Sequence, residues 1–261
     1  MEFIKLTPEI SKEWDDVVYH SDDGWSFSLF YWLNMVTEVW NTRWPMEHIS
    51  FAVRDSGQWV AVMPLHYIPA EKRLASSGWS TGGPVILKTV SKLERERIWK
   101  ATLSHVDKLG QHLGAEKISI SINPLTVSAL QNLSGVNPVV EFGYKDVSTH
   151  TRIVDLQKSE EGLWYELSKD ARQKIKKAQS LGYSVKVTPW EEMLDDYYQI
   201  HTETYERTGV MPHPKAYFEG IAKFSQHQLL WSGYDPLGEP VAFHNDACFG
   251  SGASYHTGCC K

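Results

Sequence analysis

Leu167-Ser168-Lys169-Asp170-Ala171-Arg172-Gln173-Lys174-Ile175-Lys176-Lys177-Ala178-Gln179-Ser180-Leu181-Gly182 is the stretch on which the reading of this chain turns. On a helical period Leu167, Ala171, Ile175 and Ala178 share one apolar face, while Lys169, Arg172 and Lys176 line the adjacent one. The spacing predicts one continuous helix from Leu163 to Leu181, stopped by Gly182. Most cationic ridges of this kind are solvated helix faces. Arg172 and Lys176, at i and i+4, are also spaced to hold phosphate or pyrophosphate oxygens, the guanidinium as a bidentate fork and the ammonium as a point charge.

Outward from this helix the pattern becomes that of an α/β domain. A strand is predicted before it at Thr151 to Leu156 and another after it at Tyr183 to Thr188. Helices follow at Trp190 to Arg207, ended by Gly209, and at Lys215 to Phe224, beyond the rigid loop Met211-Pro212-His213-Pro214. Strands at Gln228 to Gly233 and Glu239 to Phe249 flank the turn Asp235-Pro236-Leu237-Gly238. The first half runs in a similar order. It has a strand at Phe3 to Leu6 and helices through Tyr19 and over Ser28 to Val39. A hairpin of Ile49 to Arg54 and Trp59 to His66 turns at Asp55-Ser56-Gly57, and a third strand follows at Lys72 to Ala75. A helix over Ser91 to Leu113 and a strand at Lys117 to Ile122 complete the round. Two rounds of one order predict an α/β fold with mixed α+β sheets, arranged as two tandem domains over residues 1–146 and 147–261. A single mixed sheet with insertions is the alternative.

The whole-chain numbers set limits on function. With 42% hydrophobic residues and 11 Trp among 261 residues, there is ample material for buried cores. A net charge of −6 argues against a surface that tracks nucleic acid throughout, so no DNA partner is expected and any RNA contact must be local. The start, Met1-Glu2-Phe3-Ile4-Lys5, lacks the pattern of a secretory signal, and the apolar run Trp59 to Met63 is far too short to span a bilayer. A cytoplasmic location is therefore expected. The three cysteines, Cys248, Cys259 and Cys260, read as reduced thiols. Together with His244 and His256 they lack metal-ligand spacing, so no metal is expected.

Three further places could carry chemistry. The loop Ser76-Ser77-Gly78-Trp79-Ser80-Thr81-Gly82-Gly83-Pro84 could offer backbone amides to an anion, although glycines also simply make turns. In the hairpin Val241 to Thr257, period two places His244 and Asp246 on one face, with Asn245 and Phe249 on the other. A three-residue turn at Gly250-Ser251-Gly252 would set Asp246 opposite His256; a two-residue turn would set it opposite Tyr255. A histidine or carboxylate there could take a proton from an attacking amine, and a tyrosine hydroxyl could steady an oxyanion. Arg207, at a helix C-terminus, is explained by the dipole alone, and only a family resemblance makes it a candidate for a groove.

The run LSKDARQKIKKAQSLGYSVKV, followed by YYQIHTETYERTG and GEPVAFHNDACFGSGASYHTGC, resembles the second domain of FemAB-like proteins of the GNAT superfamily over Leu167 to Gly258. It is also similar to BioF2-like acyltransferases. The resemblance implies tandem GNAT folds and transfer of an aminoacyl or other acyl group to an amine of a cell-envelope precursor, peptidoglycan or polysaccharide. The donor would be an aminoacyl-tRNA or an acyl-CoA, with no tightly bound cofactor. The acceptor would be a small or nucleotide-linked precursor, and a lipid-linked one would bring peripheral contact with a membrane. On this reading the substrate residues are Arg172, Lys176 and Lys169 of the helix, with Arg207, Gly82 and Gly83 added by the resemblance, and those for proton transfer are Asp246, His256 and Tyr255 of the hairpin. A complete second domain of this kind would continue past Gly258, so the second domain is expected to be incomplete, with an exposed sheet edge and apolar surface. An acyl-CoA-dependent N-acetyltransferase and a non-catalytic binding protein are the alternatives. Oligomeric state is not legible.

Overall fold

The computed structural model describes residues 1–76, 82–132, 134–149 and 151–261. The chain divides into two compact units, Met1–Thr149 and His150–Lys261. Each is a mixed α/β unit, and the described residues form three four-stranded sheets, two in the first unit and one in the second.

The first unit contains, in order, β1 (Glu2–Lys5), α1 (Ser11–Tyr19), α2 (Phe30–Asn41), β2 (Glu47–His48), β3 (Phe51–Asp55), β4 (Gln58–Met63), β5 (His66–Ile68), β6 (Arg73–Ala75), β7 (Val85–Ile86), α3 (Lys92–His112), β8 (Lys117–Ser119) and α4 (Val127–Leu130). One sheet has the order β1-β3-β4-β7 and the other β2-β5-β6-β8. The expected hairpin is present as β3 and β4, with Asp55 opposite Gln58 and both turn residues, Ser56 and Gly57, at positive φ. The strand expected over Trp59 to His66 is instead two. Pro64 has no N–H to donate to a ladder, so pairing stops there; β4 stays in the first sheet and β5 joins the second. Helix α3 begins at a capping box in which Ser91 Oγ accepts from Glu94 N and the Glu94 carboxylate accepts from Ser91 N.

Beneath these sheets Trp14, Trp25, Trp32 and Trp40 are almost wholly buried, and the Trp14 indole donates to Ser28 O at 2.7 Å. Asp15 is drawn into this packing because its Oδ1 accepts from Phe30 N, the first amide of α2, at 2.8 Å. Burial pushes its carboxyl up to about 6, against the hydrogen bond from Phe30. An asparagine would keep the acceptor without the desolvated charge. Asp15→Asn is therefore expected to stabilise the chain by about 1 kcal/mol above pH 7, after allowing for partial exposure and the lost helix-dipole attraction. At pH 4, where the native carboxyl is already neutral, urea unfolding should show no gain.

The second unit contains α5 (Glu160–Glu166), α6 (Lys169–Ser180), β9 (Ser184–Val187), α7 (Trp190–Thr208), α8 (Lys215–Lys223), β10 (Gln228–Tyr234), β11 (Pro240–Phe249) and β12 (Gly252–Cys260). Its sheet is antiparallel with the order β12-β11-β10-β9. Helices α7 and α8 supply Trp190, Tyr197, Phe218 and Ile221 to a core shared with Leu230, Phe243 and Ala247 of the sheet. Gly209 ends α7 at φ 71°.

Two expectations are corrected here. Thr151 to Leu156 forms no strand, and Ile153, Val154 and Leu156 stand exposed. The helix expected over Leu163 to Leu181 is broken into α5 and α6. Leu167 is extended, at φ −62° and ψ 145°, and Ser168 caps the new helix by accepting from Ala171 N at 3.1 Å. A serine inside an amphipathic run competes for the backbone, and here it wins. No helix among the described residues is long and apolar enough to cross a membrane.

Candidate functional site

The open face of the second unit's sheet gathers polar side chains of the hairpin. The turn between β11 and β12 has two residues, Gly250 and Ser251, so Phe249 pairs with Gly252 and Asp246 pairs with Tyr255. Of the two registers open to the sequence, this is the one with Tyr255. Past that pair Asn245 lies opposite Thr257, leaving His256 as the extra residue of a β-bulge.

The bulge turns His256 inward, away from Asp246. Its Nε2 is 2.8 Å from Tyr217 Oη, and its Nδ1 is 3.2 Å from both Asn245 Nδ2 and Gln228 Oε1. Burial, aided by His213, pulls it down to about 3, so it is a neutral imidazole with both nitrogens engaged. The same cluster continues through His201, whose Nε2 accepts from His213 N at 3.1 Å and which burial also pulls down to about 4. These histidines hold α7, α8 and the inner face of the sheet together.

Asp246 belongs to the outer face. Its Oδ1 accepts from His244 Nε2 at 3.0 Å and its Oδ2 from Trp231 Nε1 at 3.1 Å. Trp231 lies opposite His244 on β10, so its indole reaches the carboxylate diagonally. Tyr255 makes the matching diagonal on the other side, with its ring 4.8 Å from that of His244. The tyrosine can lie so because Gly258 sits beneath it: a Cβ there would come within 3.2 Å of Tyr255 Oη and 2.8 Å of Phe243 O. The sequence placed His244 and Asp246 on one face but assigned the useful partnership across the strands. The i, i+2 spacing was the signal for the pair that forms.

The cationic candidates are elsewhere in the unit and differ from one another. Arg172 Nη1 donates to the carbonyls of Tyr165 (3.1 Å) and Leu167 at the end of α5, so it ties the two helices at their break. Lys176 places Nζ 5.9 Å from the centroid of the Trp164 ring. Lys169 is exposed in the first turn of α6, where a cation opposes the helix dipole by a few tenths of a kcal/mol. Beside them an open cleft of about 1460 Å³ is lined by Arg152, Ile153, Val154, Leu156 and Trp164, and by Glu160 and Glu161. Arg207 Nη2 donates to Cys260 O at 2.9 Å, as does Thr204 Oγ1 at 2.8 Å, so Arg207 fastens the end of β12 to α7.

In the first unit Gly82 and Gly83 are buried. Gly83 N donates to Ser121 O at 3.2 Å, and an added Cβ would meet Pro64 Cδ at 3.1 Å and Met63 Sδ at 3.2 Å. Close packing thus accounts for that glycine. Residues 77–81 of the same loop lie outside the described residues. Among those described, no group of three or more His, Cys, Asp or Glu is gathered for a metal, and the three cysteines are free thiols.

The order of strands and helices, with a bulged hairpin in the last sheet, is a mixed α/β fold that the chain shares with a solved relative. Residues 114–230, somewhat under half of the chain, match the FemAB family model, and the match ends before the β11–β12 hairpin. A crystal structure of FemX aligns over 100% of this chain and 80% of its own, with 15% identity and a TM-score of 0.64, which speaks to the fold. L-PGS from Bacillus licheniformis aligns over 86% of this chain and 67% of its own, with 14% identity and a TM-score of 0.45. No curated protein sequence matches.

Proposed function

We propose that this protein transfers an aminoacyl or other acyl group to an amine of a cell-envelope precursor, with residues 1–146 and 147–261 as its two GNAT-like domains. The observation that carries the reading is the FemAB match over 114–230, which contains the whole of α5 and α6. Lys169 supports it from physics, since a cation held against a helix dipole is a local cost that an anionic ligand would relieve. On this reading Lys169 and Lys176 receive the phosphates of a nucleotide-linked acceptor or of an aminoacyl-tRNA donor. The apolar cleft beside Trp164 takes the uncharged part of the ligand, the lipid where the acceptor is lipid-linked. Arg172 shapes the corner they stand on and Arg207 holds the end of β12 in the same unit; Gly82 and Gly83 are the substrate residues this reading assigns to the first domain. Asp246 and Tyr255 belong to the reacting end, and His256 supports them from beneath. An acyl-CoA donor is the second reading.

Lys169→Ala with Lys176→Ala is expected to weaken binding of a UDP-linked muropeptide about tenfold, or about 1.4 kcal/mol, with a shallower salt dependence. Titration calorimetry at two salt concentrations checks this, and unchanged affinity would reject the anion site. A thermal-shift comparison of muropeptide with acetyl-CoA separates the two readings, because a ligand that binds the folded state raises the midpoint.

A further inference from the structure

We infer that His244 is the base that accepts the proton of the attacking amine, with Asp246 and Trp231 as the residues that position it. The inference rests on the acyl-transfer reading above and adds to it a residue that reading does not use.

Asp246 is the fixed point. It lies mostly covered, at 18% side-chain exposure, and each of its oxygens accepts one hydrogen bond, from His244 Nε2 and from Trp231 Nε1. In neutral His244 the proton therefore sits on Nε2, and the lone pair sits on Nδ1. The His244 side chain is 51% exposed, and among the described residues nothing is hydrogen-bonded to Nδ1. The ring cannot swing freely, because Tyr255 packs on it at 4.8 Å and Tyr255 is seated over Gly258. An oriented imidazole with a carboxylate behind it and an open nitrogen in front is what general-base catalysis requires. The surrounding face, with Val185, Val187, Trp231 and Tyr255 exposed, is apolar enough that a bound acyl group would exclude water from the pair. His256 cannot serve in its place, since both of its nitrogens are engaged in the interior.

The step balances without a further reactant. The acceptor amine attacks the acyl carbonyl, a C–N bond forms, and the amine proton passes to His244 Nδ1, giving an imidazolium held by Asp246. The tetrahedral oxyanion accepts a hydrogen bond from Tyr255 Oη. On collapse the C–O bond of an ester donor, or the C–S bond of a thioester, breaks, and His244 Nδ1 returns its proton to the leaving oxygen or sulfur. The products are an amide and an alcohol or thiol.

The test uses the full chain with a UDP-linked muropeptide as acceptor and aminoacyl-tRNA or acetyl-CoA as donor. His244→Ala is expected to lower kcat by about 100-fold or more with KM little changed, and added imidazole should restore part of it. Asp246→Asn should lower kcat without rescue by imidazole. Full activity in His244→Ala, or a loss that imidazole does not restore, overturns the proposal. Absence of transfer by the unmodified chain overturns the substrate reading instead, and the pair is then read by its own chemistry. Acylation of His244 by diethyl pyrocarbonate, followed by peptide mass spectrometry, should be faster than that of the exposed His112 and slowed by Asp246→Asn. Equal rates, or no effect of Asp246→Asn, overturn the proposal whatever the substrate.

Discussion

Acidification from pH 7 to pH 5 is expected to loosen the second unit by several kcal/mol, and to do so more than the first. Burial pulls His256 down to about 3 and His201 to about 4, from an ordinary value near 6.5. The unfolded chain therefore takes up protons that the native one refuses, so the stability is complete above pH 6.5 and is lost as pH falls from there towards 4 and 3. At pH 5 each such histidine costs roughly 2 kcal/mol, and the pair about 4 kcal/mol as an upper limit. That is a large part of the 5–15 kcal/mol typical of a domain. The first unit holds His48, pulled down to about 4, and His66, pulled down to about 3, and these act in the same sense. It also holds Asp15 and Asp23, both raised by burial, which bind protons more readily when folded and so gain stability as pH falls. Hydrogen exchange on the whole chain, corrected for intrinsic rates, should show protection of β10, β11 and β12 falling more than that of β1, β3 and β4. His256→Gln should remove about half of the second unit's sensitivity. Equal loss in both units would refute the assignment of the acid response to the His201 and His256 cluster.

The legible parts of this chain are those in which a local signal and the tertiary environment agree. Ser91 and Glu94 announce α3, Gly209 ends α7, and the turn at Ser56-Gly57 joins β3 to β4 as its residues require. The failures come where a second signal competes with periodicity. Leu167, Ala171, Ile175 and Ala178 keep a perfect helical spacing, yet Ser168 caps a new helix and Arg172 turns back to the carbonyls of Tyr165 and Leu167. The apolar Thr151 to Leu156 has strand-like composition but finds no ladder to join. In the hairpin the residue types were readable but the register was not, because one turn residue more or fewer exchanges the partner of Asp246. The bulge that buries His256 depends on Tyr217, Gln228 and Asn245, which are 39, 28 and 11 positions away in sequence.

Tyr197→Ala is expected to cost about 4 kcal/mol, the largest effect of any single truncation in the second unit. Tyr197 is fully buried, and its ring lies within 5.2 Å, centroid to centroid, of Trp190, Phe218 and Phe243. It therefore joins α7 to α8 and to the middle of the sheet, and removing a buried aromatic ring leaves a cavity that three rigid neighbours cannot fill. Its hydroxyl has a separate role, 3.0 Å from Thr257 Oγ1 next to the bulge. Tyr197→Phe keeps the ring and strands that threonine, so it should cost only about 1 kcal/mol. The two substitutions thus divide packing from hydrogen bonding at one position. Denaturant unfolding of both variants measures the division. Because Thr257 sits beside His256 at the bulge, Tyr197→Phe should also raise exchange at β12 while leaving β9 unchanged. Equal costs for the two variants would show that Thr257 and the bulge, rather than the aromatic cluster, hold this sheet to its helices.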